Sequence, residues 1–259
     1  MYKKIALSIG GSDSGGGAGI QADLRTFFAL KVHGCTALTC TTAQNSKNVS
    51  SIQEIKESHL SDQINSLFSD FKINALKTGM LLNENIIRNV AENIKNISIP
   101  KIIDPVMVSK TGSILLEKNA IDAYKSLLIP QAEIITPNIH EANLLSNLQI
   151  KDKSDIEKAG NILLNLGPKS VIIKGGGFDD LKGKDFYIDQ NNSKHWLKHK
   201  FIDTQNTHGS GCTLSASICA YRALGFNLID SLKKAKAFIE RSLENSYQIG
   251  SGPGPLGHN

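Results

Sequence analysis

The stretch Asn206-Thr207-His208-Gly209-Ser210-Gly211-Cys212-Thr213 carries the most chemistry in the chain. Gly209 and Gly211 free the backbone, and an apolar helical pattern starts directly behind them at Leu214. A helix start aims unpaired N–H groups and a positive dipole end at whatever precedes it. An anion that gathers charge there, such as a phosphoryl group in transfer, would be stabilised. Cys212 sits in the same turn. A cysteine at a helix N-terminus is expected to have its pKa lowered, which makes its thiolate more accessible. Cys35, Cys40 and Cys219 lack such surroundings and read as small buried hydrophobes.

A second candidate is Gly10-Gly11-Ser12-Asp13-Ser14-Gly15-Gly16-Gly17-Ala18-Gly19. So many glycines ahead of a helical pattern make either a structural turn or a loop that lets a ligand approach the backbone. No Gly-Lys-Ser/Thr follows, so it is not a Walker loop, and it fails G-x-G-x-x-G at every register. Gly252, Gly254 and Gly257 do fit that pattern, but prolines interrupt it and no strand precedes it, so it reads as a tail.

The third set is dispersed. Asp104 follows an apolar run, Thr136-Pro137-Asn138 follows another, and Glu141 lies one helical turn on. Carboxylates at strand ends can hold Mg²⁺ directly or through water. Lys174 ends the run Val171-Ile172-Ile173 and could neutralise phosphate charge. Each of these also has a plain structural reading, with Asn138 as a helix cap and Glu141 as a surface residue. His195 and His199 have metal-like spacing but sit in a polar hairpin without a zincin glutamate, and Trp196 reads as a packing residue.

Positioning these residues requires a frame. Strand-like runs over 5–9, 35–42, 75–80, 102–106, 133–136 and 171–174 alternate with helical patterns. The helices are expected over 18–31, 59–71, 84–97, 120–128, 211–224 and 228–247, with a polar hairpin over 185–200 turning at Gln190-Asn191-Asn192. In the first helix Ile20, Leu24, Phe27 and Phe28 share the apolar face. Gly10 and Gly11 are expected to break the first strand. This alternation implies βαβ units, an α/β fold and a mainly parallel sheet, with ligands at the carboxyl ends of the strands.

The chain has 259 residues, of which 40% are hydrophobic and 20% charged, so it is not intrinsically disordered. No repeat or long linker interrupts the pattern, and residues 1–259 read as one domain. The net charge of +5 is mild and scattered, and Lys233, Lys234 and Lys236 read as a solvated face rather than a nucleic-acid surface. No apolar run approaches a membrane span, and the run over 5–9 is too short for a signal peptide. Four cysteines without a C-x-x-C pair fit the reducing cytoplasm.

Taken in order, these motifs have a known counterpart. They run from the glycine loop through Ile20-Gln21-Ala22-Asp23, Thr42-Ala43-Gln44-Asn45, Lys77-Thr78-Gly79-Met80 and Asp104-Pro105-Val106-Met107-Val108. They continue through Thr136-Pro137-Asn138, Lys174-Gly175-Gly176 and residues 207–213 to Gly252-Pro253-Gly254. The chain resembles the hydroxymethylpyrimidine and phosphomethylpyrimidine kinases of thiamine biosynthesis, within the ribokinase-like superfamily. The resemblance implies a three-layer αβα sandwich with a mainly parallel central sheet flanked by helices. It implies phosphorylation of 4-amino-5-hydroxymethyl-2-methylpyrimidine to its monophosphate and then its diphosphate, with ATP and Mg²⁺, by a cytoplasmic homodimer.

The resemblance also implies roles. Backbone N–H groups of Gly209, Ser210, Gly211 and Cys212 would form the anion hole. Cys212 stands where the superfamily usually has an aspartate base, and either deprotonates the alcohol or only positions it. Gln44 would read the aminopyrimidine with two hydrogen bonds. Asp23 and the backbone near Gly11 would hold the ring or its hydroxymethyl arm, and Met80 and Val106 would supply apolar faces. Lys174 would meet the ATP phosphates beside Asn138 and Thr136, and Asp104 with Glu141 would organise Mg²⁺. Ser210 stands where threonine is frequent. The rivals are a pyridoxal kinase of the same fold and a non-catalytic ligand sensor.

Overall fold

The computed structural model describes residues 4–107 and 118–259, so Val108 of the fourth motif lies outside the described residues. The elements run β1 (Ile5–Asp13), α1 (Gly19–Ala29), β2 (His33–Gln44), β3 (Val49–Glu54), α2 (Glu57–Asp70), β4 (Ala75–Thr78), α3 (Glu84–Ile94) and β5 (Lys101–Ile103). They continue with α4 (Lys118–Ala123), which runs into a π-turn, then β6 (Ile134–Ile135), α5 (Ile139–Ser146), α6 (Lys153–Leu164), β7 (Ser170–Lys174), β8 (Lys184–Asp189), β9 (Lys194–Lys198), α7 (Ser210–Ala223) and α8 (Leu228–Glu244). Among the described residues the strands form one sheet in the order β3-β2-β1-β4-β5-β6-β7-β8-β9. The run from β2 to β7 is parallel, while β3, β8 and β9 are antiparallel.

Strands β4 to β7 are buried on both faces, which is why β5 to β7 read as short apolar runs rather than alternations. One apolar core, with Leu60, Ile64, Ile86, Val90, Ala142 and Ile156, packs α2, α3, α5 and α6 against one face. A second, with Phe27, Leu214, Ile218, Leu232 and Ile239, packs α1, α7 and α8 against the other. These are the three layers of the αβα sandwich. The helices carry ordinary start signals. Asn83 accepts a hydrogen bond from the Ile86 N–H, and Asn227 from the Asp230 N–H.

Several expectations need correction. Gly10 and Gly11 do not break β1, which continues to Asp13 through a bulge between Gly10 and Ser12. A Cβ on Gly11 would press on Cys40 Sγ, so glycine here admits a close neighbour rather than a turn. Leu24 and Phe28 are exposed although Ile20 and Phe27 are buried. Lys236 is not solvated: it is buried and ion-paired with Asp185 across α8 and β8. The C-terminal glycines are no loose tail. Residues 254–258 are buried, and Gly254 O accepts a hydrogen bond from the His208 N–H at 3.1 Å. A Cβ on Gly254 would overlap the Tyr247 carbonyl oxygen. Strand β3 and helix α6 were not anticipated. All six residues of β3 are exposed, so no alternation marks them.

Candidate active site

The carboxyl ends of β1, β2, β4, β5, β6 and β7 and the start of α7 meet along one edge of the sheet. Asp13, the last residue of β1, organises the glycine loop. Its Oδ1 accepts from Gly15 N at 2.8 Å, and its Oδ2 accepts from Ala18 N at 2.8 Å and Gly17 N at 3.1 Å. His208 Nε2 lies 2.9 Å from the same Oδ2. Burial works to raise the Asp13 carboxyl, but the hydrogen bonds from His208, Ala18 and Gly15 together hold it below the usual carboxylate value. The two loops touch backbone to backbone. Gly209 has φ +81°, and a Cβ there would overlap the Gly17 carbonyl oxygen; a Cβ on Gly17 would strike the His208 ring. Gln44, at the end of β2, is tied to the same loop. Its N–H donates to Ser14 Oγ and its carbonyl accepts from that hydroxyl, both at 2.8 Å. Gln44 Nε2 lies 3.3 Å from His208 Nε2. Gln44 therefore stands against His208, one residue ahead of the turn Gly209 to Cys212.

Cys212 lies in the first turn of α7 and is partly exposed. Its thiol is not lowered as the helix start led us to expect. Burial pushes it up to about 11, Asp23 and Asp104 add to the rise, and Lys77 and the Gly19 N–H oppose it. Desolvation of the thiolate outweighs the helix dipole here. Beside it lies an ion pair whose lysine has no role in the sequence analysis. Lys77 Nζ is 2.8 Å from both oxygens of Asp23, and Ser8 Oγ donates to the same carboxylate. Lys77 and Asp23 are 0% and 1% exposed, so this charge pair is sealed from water. Burial works to lower Lys77, but the Asp23 carboxylate more than offsets it and holds the lysine above its ordinary value. Asp23 is thus spent on Lys77 and Ser8, which corrects its expected place against the substrate ring. The signal for Lys77 was a lone cation within a short buried strand, Ala75-Leu76-Lys77-Thr78.

The other half of the site is a second buried charge cluster. Asp104 Oδ1 accepts from Thr136 Oγ1 at 2.9 Å and Lys174 Nζ at 3.2 Å, and its Oδ2 accepts from Ser215 Oγ at 2.9 Å. Lys174 Nζ is also 4.0 Å from Glu141 Oε2. It lies beside Gly211, where an added Cβ would stand 3.4 Å from it. Asn138 and Glu141 cap α5 reciprocally, each side chain accepting from the other residue's N–H. Glu141 is nevertheless not a surface residue. It is 3% exposed, and burial pushes its carboxyl up to about 7, with Lys174 opposing and Asp104 assisting. Thr136 is fully buried with its hydroxyl on Asp104, so it supports the carboxylate rather than facing a nucleotide. Ser215, one turn into α7, went unassigned in the sequence.

Gly11 and Met80 adjoin each other, since a Cβ on Gly11 would stand 3.8 Å from Met80 Cβ, and both Met80 and Val106 are half-buried. Among the described residues no cluster of three or more His, Cys, Asp or Glu side chains suits a metal ion, and His195 stacks on Tyr187 instead. No described helix is long and apolar enough to cross a membrane. A cavity of about 740 Å³ between α1 and the C-terminal residues is lined by none of the residues brought together above.

This arrangement has close relatives. Residues 13–257 match the family described as phosphomethylpyrimidine kinase. A hydroxymethylpyrimidine/phosphomethylpyrimidine kinase of Synechococcus elongatus is 48% identical over 259 residues, covering 100% of this chain and 98% of that protein. A solved phosphomethylpyrimidine kinase from Clostridium difficile superposes with a TM-score of 0.82 at 37% identity, covering 92% of this chain and 98% of that one. A Bacillus subtilis pyridoxal kinase solved with ADP superposes with a TM-score of 0.90 at 35% identity, covering 98% and 97%. The chain is therefore a kinase of ribokinase-like fold, and it belongs to the phosphomethylpyrimidine kinase family.

Proposed function

We propose that this enzyme transfers the γ-phosphoryl group of ATP to the hydroxymethyl oxygen of 4-amino-5-hydroxymethyl-2-methylpyrimidine, and then phosphorylates the monophosphate to the diphosphate, in thiamine biosynthesis. The observation that carries this reading is the 3.3 Å approach of Gln44 to His208, which joins a heterocycle reader to the anion-hole turn. The N–H groups of Gly209, Ser210, Gly211 and Cys212 would receive the charge of the transferring group. The alcohol oxygen bonds to the γ-phosphorus, the bond from that phosphorus to the β–γ bridging oxygen breaks, and ADP leaves. The alcohol proton passes to the thiolate of Cys212. Gly11, Met80 and Val106 would flank the ring, while Lys174 and Asn138 would meet the nucleotide. Binding of a nucleotide is supported by relatives of this fold solved with ADP. We read the enzyme as a single-domain, cytoplasmic homodimer on the resemblance alone.

The residues fit Mg²⁺ through water better than by direct contact. Both Asp104 oxygens already accept protein hydrogen bonds, and Lys174 stands between Asp104 and Glu141. Mg²⁺ keeps several waters and uses few carboxylates. Asp104 and Glu141 would hold those waters, and the bound ion would neutralise phosphate charge. A pH dependence follows. Below about pH 7 Glu141 is protonated and neutral, so the Mg²⁺ concentration for half-maximal activity should rise as pH falls through that value. Glu141→Gln should flatten this dependence, and an unchanged pH profile in that variant would remove Glu141 from the metal's shell.

The direct test incubates the protein with ATP, Mg²⁺ and the hydroxymethylpyrimidine, and looks for mono- and diphosphate products by mass. Gln44→Ala should raise the KM for the pyrimidine roughly 10–100-fold, the loss of two hydrogen bonds, with little change for ATP. Equal effects on both KM values would place Gln44 elsewhere. A pyridoxal activity is the second reading, favoured by the likeness to the Bacillus subtilis pyridoxal kinase. Parallel assays with both alcohols separate the two.

A further inference from the structure

Proton counting around Gln44 decides which end of its amide faces which neighbour. His208 Nε2 lies 2.9 Å from Asp13 Oδ2. The Asp13 carboxyl is held below the usual value, so it accepts and does not donate. His208 Nε2 must therefore carry the proton; its single N–H points at Asp13 and reaches the Gln44 amide, 3.3 Å away, as the longer arm of a three-centre bond. On the other side, Thr42 Oγ1 lies 2.9 Å from the Ser12 carbonyl oxygen, which only accepts, so the single hydroxyl proton is spent there. Thr42 Oγ1 then has only lone pairs left for Gln44. With Gln44 Nε2 3.3 Å from His208 Nε2, two N–H donors face one another; with Oε1 3.3 Å from Thr42 Oγ1, two acceptors do. Half a rotation of the amide removes both conflicts together.

We propose that Asp13 and His208 are a positioning pair that sets the polarity of the Gln44 amide, with Oε1 on the His208 side and Nε2 on the Thr42 side. The consequence is an orientation for the substrate, and it rests on the pyrimidine-kinase reading above. After Thr42 and His208 are served, Gln44 keeps one N–H and one lone pair. An aminopyrimidine offers the complement, a ring nitrogen and the adjacent amino N–H. The amino group pairs with Oε1, on the side of His208 and the anion-hole turn, and the ring nitrogen pairs with Nε2. The hydroxymethyl arm is bonded to the carbon next to the one bearing the amino group, and the methyl group lies beyond the ring nitrogen. The polarity therefore turns the arm toward Gly209 to Cys212 and the methyl away. The opposite polarity would present the methyl to the anion hole.

The test compares His208→Leu, which removes the N–H, with His208→Gln, which keeps one at similar reach. ADP release is measured with the hydroxymethylpyrimidine and with ATP varied in turn. His208→Leu should lower kcat/KM for the pyrimidine about tenfold, the loss of one hydrogen bond's worth of discrimination. The KM for ATP should stay within about twofold, and His208→Gln should recover most of the loss. In a Gln44→Ala background His208→Leu should cost clearly less for the pyrimidine than it does in the wild type, because there is no amide left to orient. Nitrogen-15 spectra of the wild type should show a proton on Nε2 of His208. An unprotonated Nε2, a full effect in the Gln44→Ala background, or equal damage to both substrates overturns the proposal and leaves the kinase reading intact. No turnover of the pyrimidine by the wild type overturns that reading and the proposed ring orientation with it.

Discussion

Cys212→Ala should slow pyrimidine-dependent ADP release about 10²–10⁴-fold, the usual range for loss of a general base. The pH profile distinguishes this role from mere positioning. Because the thiol stands at about 11, only a small thiolate fraction exists near neutrality, and that fraction grows about tenfold per pH unit below the pKa. The kcat/KM of the wild type should rise with pH from about 7 to about 10, and the rise should vanish in Cys212→Ala. A thiolate this basic is scarce but a strong proton acceptor, which suits an alcohol whose own pKa is far higher. If Cys212→Ala keeps its rate, the thiol is not the base. If it loses rate but keeps the rise with pH, some other group takes the proton and Cys212 only positions the alcohol.

Lys77→Met should be the most destabilising single change among those considered, at about 3–5 kcal/mol, because it leaves the Asp23 carboxylate buried without its cation. The urea midpoint should fall with an unchanged slope. The double variant Lys77→Met/Asp23→Leu should recover most of the loss, since an apolar pair of similar volume carries no desolvation penalty. A single variant as stable as the wild type would show that the pair is not charged in the fold. The double variant has a second use. Lys77 is the cation that most favours the Cys212 thiolate, and Asp23 opposes it. Removing both asks whether the pair serves the fold alone or the thiol as well.

The glycine turn ahead of α7 was legible because it is local. Gly209, Gly211 and an apolar helix start lie within a few residues, and the structure joins them at the start of α7. The order of strands and helices was legible for the same reason, since buried parallel strands advertise themselves as apolar runs. What stayed hidden depends on partners far along the chain. Lys77 and Asp23 are 54 positions apart, and Asp104 meets Ser215 across 111. Neither pairing leaves a periodic trace. The proton affinity of Cys212 was misjudged because it is set by burial among residues of α1 and β4, not by its own turn. The continuation of β1 through Gly10 and Gly11 was misjudged because glycine marks close approach as readily as it marks a turn.

The contact of Asp13 with His208 spans 195 positions. Closing so large a loop is entropically costly and rewarded only once the intervening sheet is in place. The glycine loop and the turn at His208 and Gly209 are therefore expected to lock together late in folding. Gentle heating or dilute denaturant should unlatch them first, extinguishing turnover while the sheet still stands.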